Sequence, residues 1–160
     1  MEDKQIQIAH GSGGGMTRRL LDNEIVSRFG TGALEGLPDA AILAPGSGRV
    51  TFSTDGFVVQ PLQFPGGSIG HLAVHGTVND LAVSGSRPRW LSLSMILEEG
   101  LSLEVLRAVL DDVKEAADQC DVQIVTGDTK VVQRGQCDGM YLTTAGIGEV
   151  IDGFELSMDR

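Results

Sequence analysis

Residues 90–126 read WLSLSMILEEGLSLEVLRAVLDDVKEAADQCDVQIVT, and their pattern is the strongest indication of the fold class. Apolar and other residues alternate strictly over Trp90–Leu97, which predicts a strand with one buried face. A helix N-capped by Ser102 follows, and its apolar residues recur at helical spacing. Asp121–Thr126 then predicts a second strand. Strands and helices that follow one another in this way indicate a mixed α+β domain.

The rest of the chain supplies further strands and helices, in the overall order β-α-β-β-α-β-α-β-β. These predictions rest on the periodicity of apolar residues and on Gly, Pro, Ser and Asp at the ends of each apolar run. The predicted elements are a weak strand over 6–9, a helix capped by Thr17 and closed by Gly30, a possible buried strand at Ala40–Ala44, strands at Arg49–Ser53 and Phe57–Gln60 around Thr54-Asp55-Gly56, a loop over 61–70, a helix over 71–84 and a final strand at Met140–Val150.

The length and composition are those of one globular domain. The chain has 160 residues, 41% hydrophobic and 21% charged, which excludes global disorder. Residues 1–150 form the predicted domain, and 151–160 form a tail with no partner in the pattern. The 22 glycines cluster without a fixed period, which indicates tight turns and loops where the backbone approaches a neighbour closely.

Charge and cysteine content narrow the function classes. The net charge of −10, from 12 basic and 22 acidic residues, disfavours binding to nucleic acid and to anionic membranes. Cys120 and Cys137 form neither a CxxC pair nor a zinc spacing, and we interpret them as structural thiols. The N-terminus lacks the features of a signal peptide. These observations predict a soluble cytoplasmic protein that keeps its thiols reduced.

Three aspartates stand beside small polar residues at the ends of apolar segments: Asp55, Asp80 and Asp128. Carboxylate oxygens are the ligands that magnesium prefers, with waters and phosphate oxygens completing its shell. Separated aspartates together with a glycine-rich loop therefore indicate a metal–triphosphate site. For each aspartate alone, a turn or capping role is the alternative. The turn or capping role applies least to Asp80, because Asp80 falls within a helical pattern, where capping is less available.

The glycine-rich loop His10–Gly15 could present backbone amides to phosphates at the start of a helix. It lacks the Walker A spacing, and a flexible connector is the alternative. Lys130 closely follows Asp128 and could neutralise phosphate charge, although a surface lysine is an equally good interpretation.

Two further features leave their roles open. His71 and His75 share one helix face, but the sequence offers no third ligand nearby, so packing or surface roles are favoured over a metal site. The loop Phe64–Gly67 carries an aromatic residue that either folds over a ligand or packs beneath its own loop.

Several segments together resemble the N-terminal half of the HypE family of hydrogenase maturation factors. They are HGSGG (10–14), STDGFVVQPLQFPGGSIG (53–70), HLAVHGTVNDLAVSG (71–85), RPRWLSLSMILEEG (87–100) and IVTGDTKVVQRG (124–135). The resemblance covers roughly residues 8–150. The combination of FPGG, GTVNDLAVSG and GDTKVV is specific to this family. The wider superfamily, which includes aminoimidazole ribonucleotide synthetase and thiamine-monophosphate kinase, shares the aspartates.

The resemblance implies the aminoimidazole ribonucleotide synthetase-like N-terminal fold, with a mixed sheet packed on helices. Two such domains are expected to pair as a homodimer whose sheets close into a β-barrel. ATP and Mg²⁺ are the implied cofactors. Asp55, Asp80 and Asp128 match the family's metal-binding aspartates. The residues implied at the nucleotide are Gly11, Ser12, Gly13, Gly14, Asn79, Thr129 and Lys130.

The implied activity is that of a carbamoyl dehydratase. The family uses ATP to dehydrate a thiocarboxamide on its own C-terminal cysteine to a thiocyanate, the source of cyanide ligands for nickel–iron hydrogenase. Its members are about twice as long, with a second domain and a terminal cysteine that this sequence lacks, so the chain alone is not expected to complete catalysis. Neither Cys120 nor Cys137 is at the position that matches the family's C-terminal cysteine, so neither is assigned its role as carrier of the thiocarboxamide. The implied partners are a carbamoyl-transferring maturation factor and other hydrogenase maturation proteins.

Two alternatives belong to other classes. The chain could be a dimerising and docking module without catalysis, which an uncovered apolar strand face at Leu91–Leu97 would favour. It could also be a related kinase or synthetase that acts on another phosphate acceptor, which the FPGG and GDTKVV segments disfavour.

Overall fold

In the part of the chain that the structure describes, four strands form one sheet with helices against one of its faces. In the computed structural model, residues 4–30, 45–46 and 48–153 are described. The possible strand at Ala40–Ala44 and most of the 151–160 tail lie outside these residues. The α+β class predicted from the sequence is confirmed.

The strands and helices are numbered here in chain order. Helix α1 is one helical segment of three parts: an α-helical start at Gly15–Leu20, a π-helical turn at Leu21–Val26 and an α-helical end at Ser27–Phe29. The other elements are β1 (Val50–Phe57), β2 (Gln63–Phe64), β3 (Gly67–Ser68), α2 (Ile69–Val83), β4 (Ser86–Glu98), α3 (Leu103–Gln119), β5 (Gln123–Val132) and β6 (Met140–Val150).

The main sheet has the order β1-β6-β4-β5, so β1 and β5 are its two edges among the residues that the structure describes. Strand β4 pairs in parallel with β5 and antiparallel with β6, and β1 is antiparallel to β6. Parallel neighbours need a crossover connection, and α3 supplies it between β4 and β5. Strands β2 and β3 form a separate small hairpin.

The core lies between the sheet and helices α2 and α3. The face of β4 that carries Leu91, Leu93, Met95 and Leu97 is buried, with at most 4% of each residue exposed. The condition that would favour the docking-module alternative, an uncovered Leu91–Leu97 face, is therefore not met. Exposed apolar side chains lie on the opposite face of the sheet instead, with Phe52 68% exposed and Val50 52%.

Two predictions near the N-terminus are wrong. Ile8–Gly11 is a 3₁₀ helix rather than part of a strand. A local hydrogen bond from the Gln7 amide to His10 Nδ1, 3.0 Å long, replaces strand pairing there. Helix α1 begins at Gly15, so Thr17 lies inside its first turn and is not the N-cap. The Thr17 hydroxyl instead accepts a hydrogen bond from the Gly13 amide.

Two predicted turns are extended strands. Asp55 and Gly56 lie inside β1, which pairs without interruption from Val50 opposite Glu149 to Phe57 opposite Leu142. Arg49–Ser53 and Phe57–Gln60 are therefore not two strands around a turn. Pairing with β6 outweighs the local turn preference of Asp-Gly.

The segment after Thr126 also continues as strand, because β5 extends to Val132. Gly127 lies opposite Leu93, and a Cβ at Gly127 would come within 2.1 Å of the Leu93 carbonyl oxygen. Only glycine allows this close approach of the two backbones.

The segment predicted as a loop over 61–70 holds the β2–β3 hairpin and the first turn of α2. Ser68 caps α2 by accepting hydrogen bonds from the amides of Gly70 and His71. Phe64 packs on Gly67 of its own turn, 3.3 Å from the position of a Cβ there. This contact agrees with packing beneath the loop.

Other predictions are confirmed. Helix α3 begins after Ser102, whose hydroxyl accepts from the Glu104 amide. Strand β6 has the predicted bounds, and β4 extends the predicted strand at both ends.

Candidate functional site

A cavity of about 490 Å³ lies between α1 and the β5 edge of the sheet. This volume is within the range of small-molecule sites. Its walls combine apolar side chains with a rim of glycines and polar residues. The lining residues are Gly11, Gly13, Thr17, Leu21, Ile25, Leu93, Met95, Ile124, Thr126, Gly127, Asp128, Thr129 and Lys130.

The glycine-rich loop is fixed at both ends of its path along the cavity. A Cβ at Gly11 would lie 2.8 Å from the Val131 amide nitrogen, so the loop contacts β5 directly. Gly13 has a φ of 80°, a conformation that glycine adopts without strain. The Gly13 amide donates to Thr17 Oγ1 at 2.9 Å. The sequence thus folds the loop against the strand that carries Asp128 and Lys130.

Helix α1 covers the cavity, and charged groups anchor it to α3. Leu21 and Ile25 of its π-helical turn face the cavity. Behind them, the buried Glu24 accepts hydrogen bonds from the Arg107 guanidinium, at 3.0 Å for the shortest. Arg28 donates to Asp111 at 2.7 Å. These ion pairs hold the cover of the cavity in place.

Asp128 and Lys130 form an exposed ion pair at the cavity rim. Lys130 Nζ lies 3.1 Å from Asp128 Oδ1, and the two side chains are 65% and 55% exposed. An exposed pair of this kind contributes about 0–1 kcal/mol, so both groups can exchange this contact for a ligand at little cost. The Thr129 amide also donates to Asp128 Oδ1, at 2.9 Å.

The other two predicted metal ligands lie at the opposite edge of the sheet. Asp80 of α2 accepts a hydrogen bond from Ser53 of β1 at 3.0 Å. Asp55 is two residues further along β1, on the same face. Its Oδ2 lies 3.5 Å from the position that a Cβ at Gly76 of α2 would take. Asn79, beside Asp80, is exposed.

The two groups of predicted site residues are far apart within one chain. Asp55 is on β1 and Asp128 on β5, with β6 and β4 between them. Three interstrand spacings of about 4.8 Å separate these edges by roughly 14 Å. One ion cannot bind both carboxylates across that distance, because metal–oxygen bonds are only about 2.0–2.6 Å long. Within one chain, the structure brings the glycine loop to Asp128, Thr129 and Lys130, but not to Asp55 or Asp80.

Both thiols have a pKa above its ordinary value. Burial raises the pKa of Cys120 above its ordinary value. Burial raises the pKa of Cys137 as well, with a further contribution from the charge of Glu98. A raised pKa reduces the thiolate fraction near neutral pH. This agrees with structural roles for both cysteines.

Sequence reasoning missed three polar residues of these two regions. The sequence predicts Thr17 as a helix cap, whereas its hydroxyl accepts from the Gly13 amide and its side chain lines the cavity. Thr126 also lines the cavity. Ser53 supports Asp80. Its position two residues before Asp55 is a signal that would have placed both on one face, had the segment been interpreted as a single strand.

Comparison with known proteins identifies the family. Residues 38–150 match the model of the AIR synthase related protein, N-terminal domain. The chain belongs to this family, as the resemblance in sequence predicted. Among the described residues, none of the helices combines the length and apolar character that crossing a membrane requires.

Within the family, the chain is similar to proteins named HypE. It is 46% identical to carbamoyl dehydratase HypE of Rhodobacter capsulatus over 163 residues, which covers 100% of this chain and 48% of that protein. The chain thus spans about half the length of the curated relatives it matches.

Two solved structures extend the similarity. One is the hydrogenase maturation protein HypE in complex with ATP, with a TM-score of 0.88 and 49% identity, covering 90% of this chain and 43% of that one. The other is a HypE–HypF complex, with a TM-score of 0.65 and 42% identity, covering 84% of this chain and 43% of that one.

Proposed function

We propose that this chain is the ATP-binding part of a HypE-like carbamoyl dehydratase. The observation that carries the proposal is the cavity, which unites the glycine-rich loop with Asp128, Thr129 and Lys130. The similarity to a HypE structure solved with ATP supports a nucleotide as its ligand. The assignment of the ATP-binding domain to residues 1–150, with 151–160 as a tail, stays a prediction.

The walls of the cavity suit the two ends of a nucleotide. Leu21, Ile25 and Met95 offer apolar contacts to a purine ring. The loop Gly11–Gly14 offers backbone amides to phosphate oxygens, and Lys130 offers a positive charge. In this proposal the base lies beneath α1 and the phosphates extend along the β5 edge.

Magnesium fits the carboxylates of both edges, since they offer only hard oxygen donors. Asp128 would hold an ion at the phosphates, while Asp55 and Asp80 would hold one at the opposite edge. Bound there, Mg²⁺ would offset the charge that develops during phosphoryl transfer. Ser53 fixes the orientation of Asp80 through its hydroxyl. Asn79, the exposed neighbour of Asp80, stays a predicted nucleotide-binding residue.

A second copy of the chain would bring the separated groups together. The uncovered face of the sheet carries the exposed side chains of Val50 and Phe52, which favour pairing. We propose that two sheets close into a β-barrel in a homodimer. If the twofold axis runs along the barrel, β1 of each chain lies next to β5 of its partner. Asp55 and Asp80 of one chain then approach Asp128 of the other.

The proposed reaction is the ATP-dependent dehydration of a cysteine-bound thiocarboxamide. Transfer of the terminal phosphoryl group to the carboxamide oxygen creates a leaving group. Loss of phosphate and of the amide protons then leaves the nitrile of a thiocyanate. The residues of this chain bind and orient ATP, while the raised pKa values of Cys120 and Cys137 disfavour both as the acceptor.

The proposed partners are the carbamoyl-transferring maturation factor and other hydrogenase maturation proteins. A solved HypE–HypF complex, to whose HypE this chain is similar, supports a partner of this kind. A cytoplasmic location follows from this assignment and stays a prediction.

Calorimetric titration of Mg-ATP into the chain tests the proposal. We expect Asp80→Asn to weaken binding by at least about tenfold, because a neutral amide oxygen is a poorer magnesium ligand. The fold should persist, since the amide oxygen still accepts from Ser53. Asp118→Asn is the matched control, because Asp118 is also an exposed aspartate, paired with Lys114. No binding by the folded wild-type chain, or equal binding by the Asp80→Asn variant, would contradict the proposal.

A dimerising and docking module without catalysis is the second candidate. The exposed apolar face around Val50 and Phe52 favours it. Light scattering and the same titration separate the two. A dimer that binds no Mg-ATP supports the docking module, and a dimer that binds it supports the dehydratase part.

A further inference from the structure

A second cluster of polar side chains lies between α2 and α3, away from the nucleotide cavity. It consists of His71 from α2 and of Asp112 and Glu115 from α3. One ligand atom from each of these residues lies within 4.8 Å of the other two. His71 Nδ1 and Asp112 Oδ2 are 3.9 Å apart, which is too far for a hydrogen bond.

The fold brings these residues together through close contact of the two helices. A Cβ at Gly70 would lie 2.6 Å from the Val109 carbonyl oxygen, so glycine allows the backbones of α2 and α3 to approach closely at this level. The next residue, His71, then faces Asp112, which follows Val109 by nearly one turn. Ser68 Oγ lies 3.3 Å from His71 Nδ1 and restrains the ring.

We propose that this cluster binds a divalent transition metal ion, of which Zn²⁺ is the best match. One imidazole and two carboxylates form a three-ligand set that leaves a fourth position for water. In tetrahedral zinc sites the ligand atoms are about 3.3 Å apart, given bonds of roughly 2.0–2.2 Å. The cluster needs only a small contraction to reach that spacing. His71 and Asp112 are 27% and 25% exposed, so an ion can enter from solvent.

Two neighbouring groups lie outside the proposed ligand set. His75 lies one helical turn after His71 on α2. Its Nδ1 is 3.5 Å from Cys120 Sγ. The rings of His71 and His75 stack with centroids 6.3 Å apart. The imidazole within 4.8 Å of both carboxylates is that of His71, so His71 is the imidazole ligand, and His75 lies beside it.

The ion would join α2 to α3. Helix α2 carries Asp80 at its other end, whereas His71 lies in its first turn. The ligands of the proposed zinc site share no residue with the nucleotide site, so the two sites can be tested separately.

Titration of ZnCl₂ into the chain, without nucleotide or magnesium, tests the site. We expect one ion per chain and a higher thermal unfolding midpoint in its presence. Removing a group that only supports a metal ligand costs 10–100-fold in affinity. His71→Gln, Asp112→Asn and Glu115→Gln should therefore each weaken binding by at least about tenfold. Co²⁺ in place of zinc should give the intense visible absorption of a four-coordinate site, and His71→Gln should abolish it.

Three control variants make the result specific. Glu104→Gln removes another glutamate of α3, and Cys120→Ser removes the nearby thiol. Asp55→Asn alters the predicted magnesium site. All three should bind zinc like the wild type. Circular dichroism of each metal-free variant confirms that it is folded.

The proposal is overturned if the wild-type chain binds no zinc stoichiometrically. It is also overturned if zinc binding survives His71→Gln, or if it is lost in the Cys120→Ser or the Asp55→Asn variant.

Discussion

The two edges of the sheet carry different predicted site residues. The β5 edge carries Lys130 beside Asp128, a glycine-rich loop and the cavity beneath α1. The β1 edge carries Asp55, and Asp80 reaches it from α2 with the support of Ser53. The β5 edge lies beside the cavity and presents a cation and a carboxylate at its rim, whereas the β1 edge presents the carboxylates of Asp55 and Asp80. Roughly 14 Å of sheet separates the two.

A single chain therefore does not bring the complete set of predicted ligands together. Strand order, rather than sequence spacing, sets the distance between the aspartates. The proposed homodimer removes this separation by placing unlike edges side by side. Three substitution experiments test the contrast between the edges.

The largest change in free energy is expected from Gly127→Ala at the β5 edge, which should lower the stability of the fold. The new Cβ would lie 2.1 Å from the Leu93 carbonyl oxygen, so β5 must move away from β4. We expect the free energy of unfolding to fall by about 3 kcal/mol, as measured by urea denaturation. Gly15→Ala is the control, because no atom lies within 4 Å of a Cβ there. Equal stability of the Gly127→Ala protein would contradict the close approach of β4 and β5.

A smaller effect is expected from Phe52→Asp on the uncovered face beside the β1 edge. A charge there should weaken self-association by about 2 kcal/mol, the size typical of a central interface residue, and leave the fold intact. Analytical ultracentrifugation measures the dissociation constant. Val83→Asp is the matched control, since Val83 and Phe52 are each 68% exposed but lie on different surfaces. If both variants associate like the wild type, the sheet face is not the interface.

The smallest signal comes from mixing two variants that are expected to bind Mg-ATP weakly, Asp80→Asn and Asp128→Asn. If each site uses β1 of one chain and β5 of its partner, a mixed dimer has one intact site. Random mixing should then restore Mg-ATP binding at about a quarter of the sites. Calorimetry of the refolded mixture measures this fraction.

If each chain holds its own complete site, mixing restores nothing, because every chain carries one substitution. This outcome would contradict the proposed pairing of unlike edges while leaving the ATP-binding proposal intact.

Elements that depend on local signals were predictable from the sequence. Ser102 and the apolar spacing after it define α3 without reference to any other segment. The errors at Asp55 and Gly127 share one cause. Both lie in dipeptides that favour turns, and both are held in strands by partners elsewhere in the chain, β6 and β4 respectively. Long-range pairing of this kind has no local signature.

The candidate site was predictable as a list of residues but not as an arrangement. The family resemblance named Gly11–Gly14, Lys130 and the aspartates. The sequence could not tell that the loop folds onto β5, or that Asp55 is at the far edge, because both facts follow from strand order. For the same reason, the sequence alone does not indicate which residues could join His71 in binding a metal ion. Asp112 becomes its neighbour only through the contact of α2 with α3.

The pairing of β1 with β6 has a consequence for the synthesis of the protein. Val50 pairs with Glu149, so β1 leaves the ribosome long before the strand that satisfies its backbone groups. Chains are made at about 5–20 residues per second, and β1 with its exposed Phe52 therefore waits for several seconds as an unpaired segment. The edge that carries Asp55 is completed only when almost the whole domain has emerged.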